Sequence, residues 1–166
     1  MLTLERLKEV LDYEPDTGLF RWKVERGGTK IGEVAGHHKG PRYIRINIDR
    51  VSYRAHILAW FYMTGEWPSR FIDHKDTDKA NNRWGNLRLA TKSQNMANMP
   101  APKHNTSGLK GAHRYKAGAS YGKPWQSTIS VDKKSISLGH FATAEEAHAA
   151  YVAAAQRLFG EFARAS

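Results

Sequence analysis

The chain has 166 residues, enough for one compact domain or two small ones. It contains no cysteine, which excludes disulfides and any thiolate-held zinc, so a bound metal must be taken by Asp, Glu, Asn, His, water or substrate oxygen. Lys and Arg outnumber Asp and Glu by 26 to 16, a formal charge of +10 that favours a polyanionic partner. No apolar run reaches the length of a membrane span, and charges interrupt the apolar pattern of MLTLERLKEV, which is unlike a secretory signal.

In chain order, residues 1–41 read as an N-terminal helix and strand extension. Thr3 caps a short helix whose apolar positions Leu4, Leu7, Val10 and Leu11 fall at helical spacing. Glu14-Pro15-Asp16-Thr17-Gly18 is turn chemistry, Leu19 to Val24 alternates like a strand, and the glycine-bearing segment that follows reads as a surface loop.

Residues 42–99 read as the second piece. Ile44, Ile46 and Ile48 share one strand face, with Tyr43, Arg45 and Asn47 on the other. Asp49-Arg50 turns into Val51-Ser52-Tyr53-Arg54, and the apolar run from Ala55 to Met63 predicts a core helix ended near Gly65. Phe71-Ile72 leads into Asp73-His74, and Leu87-Arg88-Leu89 alternates as another strand. Thr91 and Gln94 form a capping box, so a helix begins at about Lys92 and stops before Pro100. Asn95 then lies about one turn into that helix.

Residues 100–108 read as a Pro, Gly and polar linker. Residues 109–166 predict three short strands and a helix. Trp125, Ile129 and Val131 share one strand face and Gln126, Thr128 and Ser130 the other; Asp132-Lys133-Lys134-Ser135 turns the chain into the strand Ile136 to Phe141. Thr143 and Glu146 form a second capping box, opening a helix with the stripe Ala147, Tyr151, Ala154 and Leu158.

The chemistry concentrates at Asp73-His74. A carboxylate suits a hard divalent ion, and a neighbouring imidazole can take a proton near neutral pH. Asp73-His74, Asn86 and Asn95 together, with Ala55-His56 to Trp60, Gly65-Glu66-Trp67-Pro68 and the Asn81-Asn82 loop, resemble the HNH endonucleases of the phage and intron-encoded homing type. The resemblance covers about residues 42–99. It implies an α+β fold with a ββα-metal core, Asp73 and Asn95 as ligands of one divalent cation, His74 as general base, and Asn86 as the residue that fixes the loop and helps orient the imidazole. The final motif position is Asn rather than His, a neutral oxygen donor that favours Mg²⁺ or Mn²⁺ over Zn²⁺. It further implies hydrolysis of phosphodiester bonds in double-stranded DNA to 5′-phosphate and 3′-hydroxyl ends, by a monomer or homodimer, in the cytoplasm of a bacterial host. A non-catalytic DNA-binding regulator on a nuclease-like core is the alternative, and a structure-specific or RNA nuclease a further one. His56 reads as a structural histidine or a phosphate contact, Asn82 as a loop-shaping residue, and Asp76 and Asp78 as solvated loop carboxylates.

The stretches Gly108 to Gly111, Trp125 to Val131, Leu138-Gly139-His140-Phe141 and Thr143 to Ala154 resemble the DNA-binding domain of plant ethylene-response factors. The resemblance implies a three-stranded antiparallel sheet packed on one helix, with its free face toward DNA. The contact candidates are Lys110, His113, Arg114, Tyr115, Trp125, Thr128, Ser130, Lys133 and Lys134. The base-contacting arginines of the plant version are replaced here by small polar residues such as Thr128, Ser130 and Ser137.

Overall fold

A computed structural model describes residues 1–37, 42–102, 105–115 and 121–164. It divides into two units, Met1–Ala90 and Thr91–Ser166. The division falls inside the stretch 42–99 that the sequence suggests as one piece, and Lys103 and His104 of the linker stretch lie outside the described residues. Among the described residues no helix is long and apolar enough to cross a membrane.

Among its described residues the first unit has three two-stranded antiparallel sheets, two α-helices and a short 3-10 turn at Trp84–Asn86. Helix α1 (Leu4–Val10) starts at Thr3, whose hydroxyl accepts from the Arg6 amide. Leu11 leaves the helix and begins β1 (Leu11–Glu14), which the helical spacing of Leu11 had concealed. β1 pairs with β2 (Leu19–Trp22), Leu11 opposite Trp22 and Glu14 opposite Leu19. The expected strand through Val24 ends at Trp22. The glycine-bearing segment is more than a loop: it lies along β2, where Gly32 N–H donates to Trp22 O (2.8 Å) and Ala35 N–H to Phe20 O (2.7 Å).

β3 (Arg45–Ile48) buries Ile46 and Ile48 and exposes Arg45 and Asn47, as its period of two requires. It pairs with β4 (Val51–Arg54) through a turn in which Asp49 and Arg50 both take positive φ. Helix α2 (Ala55–Thr64) ends at left-handed Gly65 and buries Ala55, His56, Leu58, Ala59 and Phe61. β5 (Phe71–His74) pairs with β6 (Leu87–Ala90), Asp73 opposite Arg88. One hydrophobic core joins Leu7, Val10, Leu11, Tyr13 and Phe20 to Ile46, Ile48, Leu58, Phe61, Ile72 and Leu87. Residues 1–37 are therefore part of this unit's core and not an appendage to it.

The second unit opens with α3 (Lys92–Asn98), whose capping box Thr91/Gln94 is formed in full. A three-stranded antiparallel sheet follows in the order β7 (Ala112–Arg114), β8 (Trp125–Val131), β9 (Lys134–Phe141). The β8–β9 turn is tighter than expected: Asp132 and Lys133 alone take positive φ, and Lys134 and Ser135 already pair with Val131 and Ser130. Helix α4 (Ala144–Phe159) covers one sheet face with Ala147, Tyr151, Ala154, Ala155 and Phe159. Leu158, placed in that stripe by spacing, is exposed; Phe159, one position on, takes the buried place. At Gly111 a Cβ would stand 2.2 Å from the Tyr151 ring, and φ is +80°, so the chain can cross this helix only as glycine.

Candidate active site

His74 ends β5 and is buried, at 4% exposure. Its Nε2 lies 3.2 Å from Asn82 Oδ1. The Asn82 amide nitrogen donates to Ala80 O (3.2 Å), which turns its oxygen toward the ring. An oxygen acceptor facing Nε2 requires the proton of the neutral imidazole there and leaves the basic lone pair on Nδ1. Burial lowers the His74 pKa from its usual value, against the opposing pull of the Asn82 hydrogen bond and of Asp76, Asp73 and Asp78. The ring is thus neutral at neutral pH, the state a general base needs.

Asn82 is 1% exposed and anchored from two directions. Tyr13 of β1 donates its hydroxyl to Asn82 O (2.6 Å). Gly18, in the β1–β2 turn, sits so close that a Cβ would stand 2.4 Å from Arg83 N and 2.5 Å from the Asn82 carbonyl carbon. Trp84 N–H donates to Pro15 O (2.9 Å). The N-terminal hairpin therefore holds the peptide that aims the imidazole. Residue types gave little hint of this; Gly18 marked a turn but not what the turn leans on.

Asn86 ties the loop after His74 together. Its amide donates to Asp76 Oδ1 (2.9 Å) and Asn81 O (2.8 Å), and its side-chain oxygen accepts from Asp76 N–H (3.1 Å). The orienting contact to the ring comes from Asn82, eight residues after His74, so that part of the role expected of Asn86 moves to its neighbour in the loop. Asp76, expected to be solvated, is the hub of the loop and also accepts from Asn81 Nδ2 (2.6 Å) and Asp78 N–H (2.9 Å). Burial opposes its ionisation, but the hydrogen bonds from Asn81 and Asn86 hold its carboxyl below the usual range.

Asp73 is buried, at 4% exposure, and meets Arg88 Nε at 2.9 Å across the β5–β6 pair. Among the described residues no three His, Cys, Asp or Glu gather closely enough to hold a metal by themselves. A divalent ion at Asp73 must complete its shell with amide, water and substrate oxygens. That donor set fits Mg²⁺ or Mn²⁺, which keep several waters, and not a closed zinc site. Asn95 lies half-buried on α3 in the second unit, its N–H bonded to Thr91 O (3.0 Å).

His56 is buried with its Nδ1 unpartnered, stands edge-on to His74 at 5.0 Å between ring centres, and lies 4.6 Å from the Tyr43 ring. Burial, reinforced by His74 and Arg54, lowers its pKa to about 3. It is a neutral packing residue beside the candidate base and does not present a charge to phosphate.

In the second unit the candidates separate by face. His113 Nε2 meets Gln126 Oε1 (3.1 Å), Tyr115 packs on His140 (4.8 Å between ring centres), and Thr128 and Ser130 alternate onto the same face, opposite buried Ser127 and Ile129. Trp125 shares the parity of Ser127 and Ile129, the side that α4 covers, and is half-buried. Arg114, Lys133 and Lys134 are exposed. Lys110 is not available to DNA: it is 8% exposed, and its ammonium donates to Ala97 O and to Met99 O (2.5 Å) at the end of α3. These carbonyls have no partner within the helix, and a cation is the fitting cap.

A family model described as HNH endonuclease matches residues 53–97. The chain is 39% identical over 82 residues to Protein 3.8 of Escherichia phage T7, an alignment covering 49% of this chain and 64% of that protein. It is 29% identical over 154 residues to an uncharacterized HNH endonuclease, L560, of Acanthamoeba polyphaga mimivirus, covering 92% of this chain and 70% of that one. The chain thus spans just under two thirds of the phage relative's length. No solved structure matches. The matched residues 53–97 contain Asp73, His74, Asn82, Asn86 and Asn95.

Proposed function

We propose that this chain is an HNH endonuclease of the homing type that hydrolyses phosphodiester bonds in double-stranded DNA with one divalent cation. The observation that carries the reading is the neutral His74 imidazole, held at Nε2 by Asn82 beside the Asp73 carboxylate.

In this reading His74 Nδ1 takes the proton of a water as its oxygen attacks phosphorus. The bond to the 3′ oxygen breaks, leaving a 5′-phosphate and, after protonation from solvent, a 3′-hydroxyl. His74 returns its proton to bulk water between turnovers. Asn82 keeps the ring in one tautomer, and Asn86 with Asp76 keeps the loop that carries Asn82 in place. Asp73 supplies the carboxylate ligand, and the HNH motif assigns Asn95 as a second oxygen donor. A bound Mg²⁺ or Mn²⁺ supplies charge stabilisation on the phosphate and the departing oxygen. Arg88 balances Asp73 within the fold.

The second unit supplies grip, in the manner of the ethylene-response-factor domain. His113, Tyr115, Thr128 and Ser130 offer hydrogen-bonding groups to the groove, and Arg114, Lys133 and Lys134 meet phosphates. A phage or mobile-element setting places the enzyme in a bacterial cytoplasm, acting as a nicking monomer or a homodimer cutting both strands.

The test incubates the full chain with duplex DNA, single-stranded RNA and branched DNA, in Mg²⁺, in Mn²⁺ and in EDTA. Expected are cuts in duplex DNA that need the cation and leave ends that DNA ligase seals. Binding without cutting in every metal identifies a regulator instead, and preferential cutting of RNA or branched DNA moves the substrate class.

A further inference from the structure

Tyr43, immediately before β3, is half-buried, its ring 4.6 Å from His56 and 5.9 Å from His74. Two cations from separate stretches of chain meet this one ring. The Arg54 guanidinium, from the end of β4, lies 5.1 Å from its centre, and Lys79 Nζ, from the loop after β5, lies 5.4 Å from it. Both side chains belong to exposed residues, and among the described residues neither has an acidic partner within ion-pair distance. An aromatic face positions a cation without neutralising it, so both charges stay available to an anion.

The charge around His74 gives the pair a task. Asp73, Asp76 and Asp78 all act electrostatically on the imidazole. A phosphodiester approaching the same ring is repelled by that acidic group unless fixed positive charge stands close by. We propose that Arg54 and Lys79, steadied over Tyr43, form a seat for a backbone phosphate of the DNA strand that His74 serves. This rests on the reading of His74 as the base. The ligand class is the phosphodiester itself, without base identity, because the two fixed cations beside His74 answer the charge that every backbone phosphate carries.

The experiment measures binding of a short fluorescent DNA duplex by anisotropy, in EDTA, over a range of salt. Wild type is compared with Arg54→Gln/Lys79→Gln and with a charge-matched control, Lys30→Gln/Arg50→Gln; circular dichroism confirms that each is folded. The seat predicts that the first pair weakens binding about tenfold and reduces the log–log salt slope by about 1, one phosphate contact being worth roughly 0.9. Arg54→Lys, which keeps the charge, retains most of the slope. In a separate cleavage arm the first pair raises KM more than it lowers kcat. An unchanged slope in the first pair, or an equal loss in the control pair, overturns the proposal. If wild type fails to cut while the pair-specific loss persists, the nuclease reading falls and the phosphate seat stands.

Discussion

A histidine serves as a base only when its proton count and its direction are both fixed, and at His74 the two are fixed by different agents. Burial keeps the ring neutral, and the Asn82 amide, locked by Ala80 O and Tyr13, decides which nitrogen is protonated. Asn82→Ala removes the acceptor at Nε2 while leaving Asp73, Asn86 and Asn95 intact. The expected result is a loss of about 10- to 100-fold in single-turnover cleavage, the usual effect of removing an orienting partner, with DNA affinity unchanged in an anisotropy titration. Asp73-His74, Asn86 and Asn95 were legible in the sequence because their spacing is a motif. The orienting role of Asn82 was not, because two adjacent asparagines in a loop do not reveal which amide turns inward. Asp76 was misleading for a related reason: a carboxylate in a polar loop looks solvated until the three groups that donate to it, Asp78 N–H, Asn81 Nδ2 and Asn86 Nδ2, are seen.

At the level of elements, the β1–β2 hairpin buttresses the loop between β5 and β6 that carries Asn82. Gly18 lies against the loop with φ at +75° and no room for a Cβ. Gly18→Ala adds a strained backbone to a clash with the Asn82–Arg83 peptide, and is expected to cost about 2–3 kcal/mol or more in denaturant unfolding. Gly85→Ala, where a Cβ meets nothing within 4 Å, is expected to stay close to wild type. Equal stability of the two variants removes the buttress from the account. A second element-level case is α3, whose final carbonyls are capped by Lys110. Lys110→Met removes the ammonium from both carbonyls, leaving Ala97 O only the longer bond from Arg164 N–H (3.3 Å), and is expected to destabilise the second unit by about 1 kcal/mol, read by thermal unfolding. Helix and strand positions were largely legible because periodicity and capping residues are local. β1 and the fate of Lys110 were not, because strand pairing with Trp22 and burial against α3 depend on residues distant in sequence.

For the whole molecule, pH and stability are coupled through the buried histidines. The folded pKa of His56 is about 3, far below an ordinary histidine's. Between these values the unfolded chain binds a proton that the folded chain refuses, so the histidine contribution is fully present above about pH 6.5 and is lost as pH falls. The slope is about 1.4 kcal/mol per pH unit for each such group. Four of the five tryptophans lie in the first unit, so their fluorescence follows its unfolding. Midpoints are expected to fall from pH 6.5 toward pH 4, and His56→Leu is expected to flatten the fall by removing one titrating group. An unaltered slope in His56→Leu contradicts the assignment of His56 as a neutral buried ring. The net charge of +10 was readable at once as attraction to a polyanion, but not its placement. The sheet face opposite α4 carries His113, Tyr115, Gln126, Thr128 and Ser130, while Arg54 and Lys79 stand at Tyr43, neither in an ion pair among the described residues.

The claim on which the rest depends is that His74 performs the proton transfer. Single-turnover cleavage of duplex DNA in Mg²⁺, at protein concentrations that saturate binding, measures this directly for wild type and His74→Ala. A fall of about 10²- to 10⁴-fold, the range of general-base catalysis, with unchanged DNA affinity is the expected result. His74→Ala cutting at the wild-type rate would contradict it.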